Sequence, residues 1–231
     1  MIDTEFWSRY FKVYDVLNLL PTYRQLLSDV CQELGAKQGE LVLEAGSGTG
    51  NLALRIREGG SQVVGVDYCR EALESHRVKD NHCDLILADL AKQLPFVDNC
   101  FDKIASNNTL CILTAEYQRD TLKELHRVLK PGGRIVLANA RRRMNPVRAS
   151  FNVIADNIRA EGPWTTIRKI VTLMPDMLKM AYYAGKLRRE SRPHWFEPEE
   201  QRALLEDAGF RLVSETKVVY AGQAILDNAY K

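Results

Sequence analysis

Two hydrophobic periods alternate along the first 140 residues of this chain. Apolar runs of strand type occupy Leu41 to Ala45, Gln62 to Val66 and Asp84 to Ala88, and two more follow, leading into Ile104 and through Arg134 to Leu137. Stretches such as Asn51 to Ile56 have helical spacing and sit between them. Strands alternating with helices predict a parallel sheet covered on both faces, with ligands held beyond the carboxyl ends of the strands. The pattern closes with an amphipathic helix over Gln201 to Ala208, ended by Gly209 as a C-cap, and with strands over Phe210 to Thr216 and Ala224 to Leu226. Between the fifth strand and that helix lies an insert, Arg141 to Arg192, too long for a connection. Phe151, Ile154, Ala155 and Ile158 recur in it at helical spacing, then Ile167, Ile170, Val171 and Met174, then Met177, Leu178, Ala181 and Tyr182. Two or three helices forming a lid are expected there. The predicted layout is one domain: a helical segment over 1–36, a ligand-binding core over 37–140, a helical cap over 141–195, and a closing helix with edge strands over 196–231.

Candidate chemistry enters at the end of the first strand. There Glu44-Ala45-Gly46-Ser47-Gly48-Thr49-Gly50 joins the strand to a helix, and glycine allows both a positive φ and close approach of a ligand to the backbone. A dinucleotide fingerprint would need glycine at position 51, which is Asn51. Glu44 would repel a pyrophosphate and suits a cationic amino group instead. The second strand ends in Asp67-Tyr68, where an acid can accept both hydrogen bonds of a ribose diol, and the third ends in Asp89-Leu90.

Together the Glu44 to Gly50 loop, the Leu94-Pro95-Phe96 segment running to Phe101-Asp102, and Arg127-Val128-Leu129-Lys130-Pro131-Gly132-Gly133 resemble the class I S-adenosylmethionine-dependent methyltransferases. The motifs cover roughly residues 40 to 140 in the expected order, and Leu204 to Phe210 ("LLEDAGF") fits the same family. The resemblance implies a Rossmann-like, doubly wound seven-stranded α/β sheet with a helical cap inserted after the fifth strand. It implies S-adenosylmethionine as cofactor and S-adenosylhomocysteine as product. The cofactor residues it implies are Tyr14, Glu44, Ala45, Gly46, Ser47, Gly48, Gly50, Asp67, Tyr68, Asp89, Leu90 and Asn107. Asp89 would accept from the adenine amino group and Leu90 pack on its ring, while Tyr14 of the Tyr14-Asp15 pair would lie over the methionine end. The aromatic segment Phe6, Trp7, Tyr10, Phe11 and Tyr14, the "LPF" segment and the large insert are most similar to quinone-biosynthesis C-methyltransferases of the UbiE type. Those enzymes commonly carry a "GLRN" signature after the fourth strand, where this chain has Ser106-Asn107-Asn108-Thr109-Leu110-Cys111.

Composition narrows the partners. The chain has 231 residues, 45% of them apolar and 27% charged, enough for one well-buried domain with an embellishment. No apolar run reaches the ~20 residues of a membrane span, and Asp3 and Glu5 stand where a signal peptide would be basic, so a cytoplasmic protein is expected. Five cysteines without C-x-x-C spacing and four scattered histidines predict neither a disulfide framework nor a metal site. The net charge of +2 hides an uneven distribution. Residues 141–192 hold 12 Lys/Arg against 4 Asp/Glu, a net of +8, and the remainder carries −6. Runs such as Arg141-Arg142-Arg143 and Lys186-Leu187-Arg188-Arg189 could hold an anionic substrate, touch an anionic membrane surface, bind RNA, or only face solvent. The absence of an RNA-binding module or aromatic platform argues against nucleic acid. Homodimerisation is compatible with the sequence.

For catalysis, a sulfonium methyl is already an activated electrophile, so the chain needs to align a nucleophile and exclude water. His194, at the junction of cap and core, is the one weak candidate for a general base, and an ordinary loop histidine is the competing reading. Tyr10, Asn108, Met174, Met177, Tyr182 and Trp195 are the candidate substrate residues, the methionines because they make a pliable apolar surface. The expected reaction is in-line methyl transfer to a small apolar or amphipathic acceptor of quinol, phenol, lipid or natural-product type. The alternatives are a non-catalytic S-adenosylmethionine-binding subunit, a methyltransferase acting on RNA, and a nicotinamide oxidoreductase, against which Asn51 already argues.

Overall fold

The computed structural model describes residues 4–142, 154–155, 158–190 and 194–231. Its seven strands are β1 (Leu41–Ala45), β2 (Gln62–Asp67), β3 (Asp84–Leu87), β4 (Phe101–Asn107), β5 (Leu129–Ala140), β6 (Lys217–Val219) and β7 (Ala224–Tyr230). They form one sheet in the order β3-β2-β1-β4-β5-β7-β6. All pairs are parallel except those of β7, which runs antiparallel to β5 and β6. The order reverses between β1 and β4, so a crevice opens beyond the ends of these two strands.

Adjacent residues on the central strands point into two different cores. Val42 and Val63 pack with α2 (Pro21–Leu34) and α3 (Asn51–Glu58). Leu43 and Val64 pack on the other face, in the core that holds Leu122 and Leu125 of α5 (Ala115–Val128). Burial on both faces is why these strands read as continuous apolar runs rather than alternating ones. Local signals end the helices: Gly35 closes α2 at φ +55, and the Thr114 side chain caps α5 by accepting from the Tyr117 N–H.

The helical cap and the closing helix lie where expected, and one edge strand does not. The cap, as far as it is described, holds helical residues at 154–155 and 158–161 followed by one long helix, α6 (Pro163–Glu190), in keeping with the two or three helices expected. Pro175 lies inside it, removing one helical N–H without ending the helix. Phe151, like Arg143, lies outside the described residues. The strand expected over Phe210 to Thr216 is absent. Arg211 makes an isolated bridge to Tyr230, Leu212 turns to φ +49, and the edge strand is the three residues of β6. The closing helix, α7 (Pro198–Asp207), starts at the Glu197-Pro198-Glu199 segment, where Glu197 and Glu200 form a capping box.

The N-terminal segment is locked to the glycine loop. Helix α1 (Thr4–Tyr14) packs on α6 and on α4 (Arg70–Lys79) through Phe6 and Trp7, both buried. Just after it, Asp15 accepts from the Thr49 hydroxyl at 2.7 Å and pairs with Lys79 at 2.6 Å. Lys79 also donates to the Thr49 carbonyl and to the Asn51 side chain, both at 2.9 Å. The Tyr14-Asp15 pair is therefore divided: Tyr14 faces inward and Asp15 acts as a clamp.

Candidate active site

Beyond the carboxyl ends of β1, β2 and β4, and roofed by α1 and α6, lies a cavity of about 650 Å³. Its floor is the glycine loop. Gly46 and Ser47 donate to the Val66 carbonyl at 2.8 and 2.9 Å, and Gly48 donates to Asp67 Oδ2 at 2.9 Å. Asp67 Oδ1 accepts from the Cys69 N–H at 2.9 Å, so one carboxylate ties the loop to the end of β2. Burial raises the pKa of Asp67, and the Cys69 and Gly48 donors oppose that shift. Gly46 has φ +79, and a Cβ on it would lie well under 3.0 Å from the Thr109 side chain; both the turn and the close approach require glycine.

Three residues lining this cavity carry a buried polar atom without a hydrogen-bond partner among the described residues: Glu44 at Oε2, Ser47 at Oγ and Asn107 at Oδ1. Unpaired buried polar groups cost free energy unless a ligand completes them. Glu44 in particular is pushed well above the usual carboxylate range, first by burial and then by the neighbouring Asp67. A cationic group beside it would restore its charge. The acidic and amide oxygens cluster at the strand ends, whereas the cap side is apolar, with Ile170, Met174, Met177 and Trp195. This donor set suits a molecule with an ammonium group, a diol and an aromatic base, and so fits S-adenosylmethionine.

Of the predicted cofactor residues, Tyr14, Glu44, Gly46, Ser47, Gly48, Asp67, Tyr68, Asp89, Leu90 and Asn107 line the cavity; Ala45 and Gly50 do not. Ala45 is strand backbone, and Gly50 packs against the ring of His76. Of the predicted substrate residues, Tyr10, Asn108, Met174, Met177 and Trp195 line it, and Tyr182 faces outward. His194 is not part of the lining. Its imidazole faces the Glu200 carboxylate at 3.5 Å and the Phe196 ring, because the bridge between Arg141 and Phe196 turns this segment along β5.

The sequence reading did not single out Tyr23 and Tyr220, which also line the cavity. Tyr23 shares α2 with core residues Leu26 and Leu27 and carries no distinguishing spacing. Tyr220 sits at φ +53 beside Ala221 at φ +51, a strained turn before Gly222. The Tyr23 and Tyr14 hydroxyls lie 3.4 Å apart. Burial holds the phenols of Tyr10, Tyr14 and Tyr23 well above their ordinary range and pushes Tyr220 up to about 12, so all four remain protonated donors at neutral pH.

The fold also gathers a titratable group that the scattered sequence positions did not announce. Ligand-type atoms of His76, Asp80 and Cys83 lie within 4.8 Å of one another. Arg57 holds Asp80, Cys83 donates to the Val63 carbonyl at 3.2 Å, and His76 is buried against Gly50. Burial lowers the His76 pKa from 6.5 to about 4. The unfolded chain therefore takes up a proton that the native protein refuses once pH falls below 6.5. Above that pH this group adds no pH dependence; between pH 6.5 and 4 it should lower stability progressively, by about 3 kcal/mol in all. The measurement is the urea midpoint of wild type and His76→Leu across this window, with a flatter acid limb expected in the variant.

Comparison with known proteins agrees with this geometry. Residues 43–137 match the methyltransferase domain family. The chain is 26% identical over 226 residues to the demethylmenaquinone methyltransferase of Tropheryma whipplei, covering 95% of this chain and 87% of that protein. It is 31% identical over 160 residues to an uncharacterized methyltransferase of Geobacillus kaustophilus, covering 65% of this chain and 72% of that protein. A SAM-dependent methyltransferase from Aquifex aeolicus shares its fold, with a TM-score of 0.65 at 20% identity over 99% of this chain and 98% of that one. With this ancestry, the glycine loop and the buried oxygens at the strand ends, the chain belongs to the class I S-adenosylmethionine-dependent methyltransferases.

Proposed function

We propose that the acceptor is a neutral, largely apolar aromatic molecule of the quinol type, methylated in the cap-side half of the cavity. The observation that carries this reading is the lining itself: among the described residues it contains no Lys, Arg or His, three acids at the strand ends, and phenols, methionines and Trp195 elsewhere. An anionic acceptor would meet Glu44, Asp67 and Asp89 with no compensating cation, at a cost that grows in a low-dielectric site. The basic residues of the cap left an acidic substrate open, but those among the described residues do not line the cavity. The name of the Tropheryma whipplei relative supports the same substrate class.

The cofactor supplies an electrophilic methyl on a sulfonium, whose charge disperses as the methyl moves. For that cofactor, Asp67 would accept from the ribose hydroxyls, Glu44 and Asn107 would accept from the ammonium, and Leu90 with Asp89 would hold the adenine. Tyr14 and Asn108 stand between this half and the apolar half. The protonated phenols of Tyr14, Tyr23 and Tyr220 can donate to the oxygens of a quinol and fix which ring position faces the methyl. Among the described residues the lining holds no imidazole or amine, so these phenols contribute by positioning and by excluding water, and the proton that the acceptor exchanges for the methyl is released to solvent.

The test is transfer of radiolabelled methyl from S-adenosylmethionine to a panel of reduced quinones, neutral phenols, phenolic carboxylates and RNA. Incorporation into quinols, with none into carboxylates, is the expected result. Transfer confined to carboxylates or RNA would overturn the reading. S-adenosylhomocysteine binding without transfer to any of them would favour a non-catalytic subunit.

A further inference from the structure

One helix of the cap has two apolar faces. The cavity face of α6 carries Ile170, Met177, Ala181 and Ala184. A second stripe, Trp164, Ile167, Val171, Leu178 and Tyr182, follows at helical spacings of three, four and seven residues on the side turned away from the cavity. These side chains are not covered: Trp164 is 83% exposed, Val171 68% and Leu178 63%. Single exposed apolar residues are ordinary, but an aligned row along a 28-residue helix marks a surface that meets something.

The charges say what. Arg168, Lys179 and Lys186 are spaced by whole helical turns and so form one row beside the apolar stripe. Arg168 and Lys179 are exposed, and Lys186 lies over the Phe6 ring. By sequence, α6 holds six basic residues against the acids Asp176 and Glu190. Two copies facing each other through this stripe would bring two basic rows together. An anionic surface would neutralise them. No helix among the described residues is long and apolar enough to cross a membrane, so the arrangement is that of a helix lying in an interface: apolar on one side, basic along its edge, with a tryptophan near one end.

We propose that the outer face of α6 docks on anionic phospholipid bilayers, placing the roof of the active site at the lipid surface. The inference rests on the apolar-acceptor reading only for its purpose: an acceptor dissolved in lipid would reach the cavity along the same helix without crossing water. The docking itself follows from the exposed stripe and its basic edge.

The experiment is co-sedimentation of the 231-residue chain with phosphatidylcholine vesicles and with vesicles also containing phosphatidylglycerol, at low and high salt. Binding to the anionic vesicles that weakens with salt is expected. Val171→Asp with Leu178→Asp, neither of which lines the cavity, should abolish it while S-adenosylhomocysteine affinity stays unchanged, showing that the variant is folded. Arg168→Glu with Lys179→Glu should weaken it by about tenfold or more. Three results would overturn the proposal: no preference for anionic vesicles, unchanged binding by the folded Asp variant, or a wild-type dimer that this variant converts to monomer without any vesicle binding. Because no acceptor is needed, vesicle binding without quinol methylation would reject the substrate reading and leave the docking standing, and the converse would do the opposite.

Discussion

Asp67→Ala is expected to weaken S-adenosylhomocysteine binding by about two orders of magnitude or more. The carboxylate is 7% exposed and does two jobs. It accepts from the Gly48 and Cys69 N–H groups at 2.9 Å, which holds the glycine loop in the shape that forms the cavity floor. It also lines the cavity, where its remaining lone pairs can meet a diol. Hydrogen bonds to a charged group are worth about 1.5–3 kcal/mol each, and about 1.4 kcal/mol is tenfold in affinity, so losing two reaches the predicted effect even if the loop relaxes. Isothermal titration calorimetry measures it. Asp67→Asn should fall between, because an amide oxygen can still accept from one loop N–H while its NH₂ opposes a second donor. An affinity unchanged in Asp67→Ala would remove the aspartate from the cofactor site and leave it a loop anchor only.

Gly50→Ala should be strongly destabilising, by about 2–5 kcal/mol, and for a reason unrelated to the cofactor. Gly50 has φ +80, where a Cβ costs about 1–2 kcal/mol, and that Cβ would lie well under 3.0 Å from the fully buried His76 ring, where overpacking adds about 1–3 kcal/mol. Urea denaturation reads the loss. Pairing Gly50→Ala with His76→Ala separates the two causes: removing the ring should recover the steric part and leave the backbone part. Because Gly50 does not line the cavity, the double variant should bind S-adenosylhomocysteine nearly as well as His76→Ala alone. No recovery in the double variant would place the whole cost in the backbone. A selective loss of ligand affinity would return Gly50 to the binding site, as the motif alone suggested.

The contrast between Gly46 and Gly50 shows how far residue patterns reach. Both have positive φ, which their spacing in the motif announces, but one is glycine because of Thr109 and the other because of His76, side chains 63 and 26 positions away. The glycine loop, the acids closing β1 and β2, and the strand-helix alternation were legible because each is a local demand. A strand end, a left-handed turn or a doubly buried strand restricts which residue types can stand there, and the restriction is written at that position. Asp67, Glu44 and Asn107 could therefore be named before their surroundings were known.

Convergence and facing arise only when the elements pack. Tyr23 and Tyr220 reach the cavity from α2 and from a strained turn before β7, and nothing in their own neighbourhoods distinguishes them from core aromatics. His194 stood at a plausible junction, but the bridge from Arg141 to Phe196 runs its segment along β5 and turns the imidazole to Glu200. The apolar periods of the cap were read correctly as helical, but periodicity could not say that α6 shows one apolar face to the active site and another outward. The family, the cofactor and the strand ends that border the cavity were readable from residue order alone, because backbone geometry constrains residues locally. The tertiary structure decided which side chains meet in the cavity, which charges stay out of it and which face of the cap is left uncovered, because those depend on how elements far apart in sequence pack against one another.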